Sequence, residues 1–427
     1  MADVDQRGFD NQPAWLSAAD ACRLLDVKRQ TLYAYVSRGL VRRVRGAAGA
    51  RYARDDLARL RARHDARAGH GAVAAGALRW GEPVLESAIT AIGADGPRYR
   101  GRPAVQLAAD GVPFEAVAEL LWTDAPPPSA PLVWPAALPL PLAKLRALLL
   151  SRGAAAPPPF SSLQLAAVAL RARDPSPWPA ALDVELARAR SLVRTLAGIP
   201  ALARDAARVD AAWAQPSIAA AVSHALGGRG ERRIVAAVEQ ALVLCADHEL
   251  NASSFTARVA AAAGADLYAC VSAALATMSG PRHGGECDRF EALVAEAAEP
   301  RRARAVVAAR MQRGDPLHGF GHRLYPAGDP RAAHLLDVAR RLARTAPAAA
   351  RATLRTIDAL IDAVARAGGE APTLDAGLVA VTVAASLPAG AAGTLFAVGR
   401  TAGWIAHVLE QRAEPSLLRP RARYIGR

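Results

Sequence analysis

Residues 234–259 read IVAAVEQALVLCADHELNASSFTARV. The first eleven are alanine-rich with an amphipathic helical pattern, and they run into the polar string Asp247-His248-Glu249-Leu250-Asn251. A metalloprotease reading of His248-Glu249 fails, because position 252 is Ala where the second histidine ligand belongs. The same pattern recurs outward at Phe114–Trp122, Leu182–Leu196, Ile218–Leu226, Ala333–Ala343 and Ala352–Ala367. Alternating β-branched residues are scarce and no repeat period stands out. From Leu78 onward the chain is therefore expected to be mainly α-helical. Residues 125–160 are rich in Pro and Ala and read as loop or short broken helices.

At about 150 residues per domain, 427 residues imply two to three domains. A hydrophobic fraction of 52% with 22% charged residues excludes wholesale disorder. Cys22, Cys245, Cys270 and Cys287 are too few for a disulfide scaffold and form no CxxC pair, which fits a reducing, cytoplasmic setting. The start, MADVDQRGFDN, lacks the apolar core of a signal peptide. Ala376–Gly399 carries no charge over 24 residues, long enough to span a bilayer. Pro388 and three glycines between Gly377 and Gly393 instead favour buried helices broken near Pro388. Pro131–Leu150 is interrupted by prolines and Lys144, so no membrane segment is expected.

The net charge of +14 is uneven. Between Lys28 and Arg63 stand eleven Lys or Arg against two Asp, leaving only +5 for the other 391 residues. Such a basic block is the footprint of a nucleic-acid surface. Within it, Ser17-Ala-Ala-Asp20 opens a first helix with a capping-box-like start, and Leu24 and Leu25 supply its apolar face. A second helix is expected from about Lys28 to Ser37. Val27, Leu32 and Val36 would face inward there, with Arg29, Gln30, Tyr33 and Tyr35 freer to face out. Gly39 stops it. Val41-Arg-Arg-Val-Arg45 and Arg51-Tyr52-Ala-Arg54 around a Gly-Ala-Ala-Gly turn suggest a basic hairpin, followed by a helix from Asp55. The organisation expected is a flexible tail at 1–14, this module at 15–68, a linker at 69–77 and a helical body at 78–427.

Chemistry concentrates in the body. His248, His283 in Gly280-Pro-Arg-His-Gly-Gly285, and His322 in Gly319-Phe-Gly-His-Arg323 each sit among glycines or polar groups. His318 and His322 have i, i+4 spacing, but Gly319 and Gly321 disfavour a helix, so no metal site is expected. Nucleotide fingerprints are absent. Arg331, Arg400, Arg419 and Arg421 offer guanidinium groups at fixed bends, suited to bidentate carboxylate binding. Asp375 is a candidate general base. The residues alone reach acid–base chemistry on a carboxylated substrate.

Two resemblances go further. AADACRLLDVKRQTLYAYVSRGLV resembles the helix-turn-helix of the MerR/excisionase type, the hairpin being its wing. That resemblance implies a recognition helix in the major groove and a wing on the backbone, with Arg29, Gln30, Tyr33, Arg42, Arg43 and Arg45 as DNA contacts. The alternative is a fused domain serving packing or oligomerisation. Lys28 stands where such modules usually place a capping Ser.

ADHELNASSFTARV, GPRHGG, GFGHRLY…DPRA and GWIAHVLEQ…LLRPRARYIG, in that order, resemble the citrate synthase family over roughly residues 78–427. Tyr99-Arg-Gly101, FEAVAELLW at 114–122 and Gly264-Ala-Asp-Leu-Tyr268 support the likeness. It implies a two-domain helical fold, with a small domain at about 285–384 inserted in a large one, and a homodimer. It implies condensation of acetyl-CoA with oxaloacetate to citrate and CoA, acetyl-CoA being a co-substrate and no cofactor being tightly bound. By motif, Asp375 would be the base, His283 the donor to the enol oxygen and His322 the group polarising the oxaloacetate carbonyl. His248, Arg331 and Arg400 would hold the oxaloacetate carboxylates, with Arg419 reaching in from the partner subunit. Gly319, Phe320 and Gly321 would contact CoA.

Departures from the family pattern are Arg282, Glu286 and Cys287 around His283, Thr373-Leu374 before Asp375 where Asn-Val is common, and no His-Pro-Met near Pro157–Leu163. They leave open propionyl-CoA as donor, making a 2-methylcitrate synthase. A DNA-binding regulator whose synthase-like body senses a ligand also stays open.

Overall fold

The structure, a computed structural model, describes residues 15–60 except 26, 39, 47–48, 55 and 58–59, then 85–125, 132, 134–135, 139–150, 159–175, 180–414 and 416–420. The tail expected at 1–14 and the linker at 69–77 lie outside the described residues. The chain divides into two units, 1–87 and 88–427.

In the first unit, the strand Trp15–Ser17 leads directly into the helix Ala18–Leu25. The Ser17 hydroxyl accepts the Asp20 amide at 3.2 Å and donates to its carboxylate at 2.6 Å. That hydrogen bond, followed by the one from Arg23, holds the Asp20 carboxyl below its ordinary range. The helix Arg29–Ser37 follows, and the Lys28 side chain makes no capping bond. Strands Arg43–Gly46 and Gly49–Ala53 form the expected hairpin, and Trp15–Ser17 adds a third antiparallel strand beside Gly49–Ala53. In this register Leu16 faces Tyr52, and both are buried with Ala21, Leu25, Leu32, Val41 and Leu57. Tyr35 packs partly buried against this core rather than facing out, because a helix of nine residues has little face to spare.

The second unit opens with an antiparallel hairpin, Thr90–Gly93 and Gly96–Tyr99, edged by Arg102–Pro103. Everything after it among the described residues is helical or connecting. Every helix expected from periodicity is present, among them Phe114–Thr123, Leu182–Gly198, Ile218–Ala225, Arg232–Cys245, Pro330–Ala343 and Ala348–Arg366. Leu142–Leu150 is a short helix within the Pro/Ala-rich region, and Pro159–Arg171 begins at its end. The uncharged segment is two buried helices, Leu374–Ala384 and Ala391–Ala413, separated around Pro388. No described helix is long and apolar enough to cross a membrane.

Ala391–Ala413 is the axis of the unit and packs on Arg232–Cys245, Ala252–Ala262 and Leu267–Met278. Gly399 allows a close approach to the first of these: a Cβ there would lie 2.7 Å from Cys245 Cβ and 2.9 Å from the Leu242 carbonyl oxygen. The next residue, Arg400, is thereby set at the C-terminal end of Arg232–Cys245, where its Nε donates to the Cys245 carbonyl at 2.7 Å. Tyr99 closes the same end, its buried hydroxyl donating toward the Val243 carbonyl at 3.0 Å and accepting the Asp247 amide at 3.3 Å. The segment carrying His248 is thus fixed from both sides.

Candidate active site

Six of the expected residues converge. The His248 and His322 rings meet edge to face with centroids 5.2 Å apart, and Tyr325 completes the group, its hydroxyl 2.9 Å from His248 Nε2. The Arg331 guanidinium stacks over Tyr325 at 5.4 Å. Asp329 caps the helix Pro330–Ala343 and binds Arg331 through Nε at 3.0 Å and Nη2 at 2.8 Å, both side chains being buried. Arg400 is equally buried and lies over the Phe396 ring at 4.9 Å. Among the described residues no carboxylate lies within ion-pair distance of it. Burial first, and then Arg331 and Arg400, hold His248 well below its ordinary value. A site that keeps two guanidinium groups this close in the interior is built to take an anion.

His322 has its tautomer set by a neighbour. The Leu324 amide donates to His322 Nδ1 at 3.2 Å, which places the ring proton on Nε2. Burial and Arg331 push His322 down to about 4, so the ring is a neutral donor at neutral pH. His283 is likewise pushed down to about 4 by burial and Arg400. Its Nε2 lies 2.8 Å from Ser253 Oγ, which accepts Trp404 Nε1–H at 3.0 Å. Ser253 Oγ in turn donates to Asn251 Oδ1 at 2.8 Å.

Asp375 stands in the first turn of Leu374–Ala384. The Cys287 thiol donates to one carboxylate oxygen at 3.2 Å and the Thr373 hydroxyl to the other at 3.2 Å. Burial nevertheless raises it to about 6, well above the carboxylate range and near a working pH for a base. Asp329 ties the two halves together, since its second oxygen also accepts the Leu374 amide at 3.1 Å. Before Asp375, the Thr373 amide donates to the Gly319 carbonyl and the Gly321 amide to the Ala371 carbonyl, each at 2.9 Å, so Gly319-Phe320-Gly321 lies along that segment. Gly319 has φ +82°, and a Cβ on it would collide with the Phe290 ring. Arg419 lies apart, in the exposed segment 416–420, and no described hydrogen bond or ion pair links it to the cluster.

With this geometry in place, the family model for the citrate synthase C-terminal domain matches residues 77–421. The chain belongs to the citrate synthase family. A helix-turn-helix family model matches residues 15–65. "Putative citrate synthase 2" of Mycobacterium tuberculosis is 41% identical over 201 residues, covering 47% of this chain and 53% of that protein. "2-methylcitrate synthase" of Shewanella oneidensis is 30% identical over 250 residues, covering 55% and 64%. The chain thus aligns with about half the length of the first curated citrate synthases. The fold is that of the Thermoplasma acidophilum citrate synthase solved with carboxymethyl coenzyme A and oxaloacetate, with TM-score 0.68, 23% identity, and coverage of 81% of this chain and 94% of that one.

Tyr325, Asp329, Ser253 and Trp404 are site residues that sequence reasoning missed. Tyr325 and Asp329 stand inside the quoted family motifs but carry no chemical signal of their own; Ser253 and Trp404 meet only through space. Cys287, a departure from the family pattern, acquires a role as a donor to Asp375. Replacing it with alanine is expected to move the acidic limb of the rate profile up by roughly half a pH unit, as loss of one weak hydrogen bond to the ionised form requires. A kcat–pH series checks this.

In the helix-turn-helix unit, Arg29, Gln30, Tyr33 and Arg43 are exposed. Arg42, expected as a phosphate contact, is exposed, and its amide and Nε donate to Asp56 at 2.8 and 2.9 Å. The Arg45 side chain lies outside the described residues. Among the described residues no group of three or more His, Cys, Asp or Glu is arranged to hold a metal.

Proposed function

We propose that this chain condenses acetyl-CoA with oxaloacetate and hydrolyses the resulting thioester, releasing citrate and CoA. The observation that carries this is the pairing of two buried guanidinium groups, Arg331 and Arg400, with a raised carboxylate and two neutral histidines in one site. Oxaloacetate places its carboxylates on Arg331, Arg400 and His248, and His322 Nε2–H donates to its ketone oxygen. Asp375 removes a proton from the acetyl methyl group while His283 donates to the thioester oxygen. The enol carbon attacks the ketone carbon, whose oxygen takes up the charge. Water then cleaves the thioester.

Neither base nor donor suffices alone, because a thioester methyl is too weak an acid for an unassisted carboxylate. Gly319, Phe320 and Gly321 line the acyl-CoA side. The working unit is a homodimer in which the partner subunit supplies Arg419, and residues 285–384 form the small domain that closes over the substrates. The protein acts in the cytoplasm.

Release of free thiol from acetyl-CoA and, in parallel, propionyl-CoA tests this, each with and without oxaloacetate. Oxaloacetate-dependent release with acetyl-CoA as the faster donor is expected. Faster propionyl-CoA turnover would make it a 2-methylcitrate synthase, and no release by folded protein overturns the reading. The kcat of the active enzyme is expected to fall below an apparent pKa near 6, where Asp375 takes up its proton.

The exposed Arg29, Gln30, Tyr33 and Arg43 favour a second reading for the first unit, in which the helix Arg29–Ser37 reads a major groove and Arg43 and Arg45 touch phosphates. A mobility shift of DNA that responds to oxaloacetate supports a regulatory role. No shift at low salt removes it.

A further inference from the structure

Glu286 sits three residues after His283, at the start of the helix Glu286–Ala297. Its carboxylate does not face solvent along that helix. One oxygen accepts the Gly319 amide at 2.9 Å, and both lie 3.1–3.2 Å from His318 Nδ1. Phe320, next in the loop, stacks edge to face on Phe290 of the same helix at 5.9 Å. On its other side the loop is stitched to the 371–373 segment through Gly319, Phe320 and Gly321. The residue after Glu286, Cys287, donates to Asp375. Positions 286 and 287 therefore touch the glycine loop and the base at once.

We propose that Glu286 is a positioning residue for the acyl-CoA half of the reaction: its carboxylate clasps the loop 318–321 shut against the segment that carries Asp375, and its charge opposes ionisation of that base. The inference rests on Asp375 as the base and on 319–321 as the acyl-CoA segment. His318, the Gly319 amide and Arg289 hold the Glu286 carboxyl below its ordinary range despite burial, so Glu286 is ionised while Asp375 titrates. The groups facing Asp375 are Cys287, Thr373, Glu286 and Arg331; after burial, Glu286 is the charge that raises it. The clasp and the charge are separable, which makes the role testable.

Glu286→Gln keeps an acceptor for the Gly319 amide and removes the charge. Glu286→Ala removes both. In the full chain, Glu286→Gln is expected to move the acidic limb of kcat to lower pH by roughly half a unit, with the KM for acyl-CoA changed less than about threefold. Glu286→Ala is expected to show the same limb shift and to raise the acyl-CoA KM about tenfold, leaving the oxaloacetate KM unchanged. An unmoved acidic limb in Glu286→Gln overturns the proposal. So does a rise of both KM values together in Glu286→Ala, since general loosening would produce that. Asp375→Asn is assayed alongside. If it turns over normally, the reading of the base has failed. If it is inactive while both Glu286 variants behave as wild type, the role of Glu286 has failed and the reading of the base stands.

Discussion

Asp375→Asn is expected to lower turnover about a thousandfold at neutral pH, to leave oxaloacetate affinity within about twofold, and to make the protein more resistant to heat. The first effect is the loss of a general base. The second follows because Arg331, Arg400 and His248, proposed to hold the carboxylates, are unchanged by the substitution. The third comes from linkage. Asp375 is buried and its folded value is raised from 3.8 to about 6. A group raised on folding lends its stability below the unfolded value and loses it as pH climbs through the folded one. At pH 7–8 the protein therefore carries an ionised buried carboxylate at a cost on the order of 3 kcal/mol. Asparagine has nothing to ionise, and it retains an oxygen to accept the Cys287 thiol and an amide to donate to Thr373. Calorimetry at pH 7.5 should show the variant melting above wild type, with the gap narrowing as pH falls through about 6 and closing only below 3.8, where Asp375 is protonated in both states. Equal melting temperatures at pH 7.5 would remove the burial argument. Undiminished thiol release would remove Asp375 as the base.

That conflict between stability and function explains which parts of the site can be read from sequence. His283, His322 and Asp375 stand out because each violates a local rule: a histidine among glycines, a lone acid at the head of an uncharged run. Arg331 is visible from its Asp-Pro-Arg bend, whereas Arg400, expected at a Gly-Arg bend, lies in the middle of the helix Ala391–Ala413, where Gly399 serves close packing rather than a turn. The groups that give these residues their properties are not local. Trp404 reaches Ser253 across 151 positions, and Cys287 reaches Asp375 across 88. Helices were legible because their periodicity is long and strong. The hairpin at Thr90–Tyr99 was not, since Thr90-Ala-Ile-Gly93 and Gly96-Pro-Arg-Tyr99 offer almost no β-branched alternation, and its pairing depends on packing under Tyr99. The ion pair of Arg42 with Asp56, fourteen positions on, was invisible for the same reason.

Asp329 carries the other large effect. Its carboxylate caps the helix Pro330–Ala343, forks to the Arg331 guanidinium, and accepts the Leu374 amide one residue before the base. All of this happens in the interior, where Asp329 is held below the ordinary carboxylate range by Arg331 despite burial. Substitution by alanine leaves Arg331 as a second buried cation without a carboxylate beside Arg400, and removing one partner of such a pair costs about 3–5 kcal/mol. Asp329→Ala is therefore expected to melt well below wild type and to lose oxaloacetate affinity by one to two orders of magnitude as Arg331 swings free. Asp329→Asn loses the charge and has a single acceptor oxygen, enough for the cap on the Arg331 amide or for the Leu374 amide but not both, so it should recover part of the stability and less of the affinity. Oxaloacetate at a fixed concentration should raise the melting temperature of wild type more than that of the variants, because stabilisation by a ligand grows with its affinity. Thermal shifts with and without oxaloacetate measure this directly. A variant that binds oxaloacetate as tightly as wild type would mean that Arg331 needs no orienting partner, and the electrostatic account of the site would have to rest on Arg400 and His248 alone.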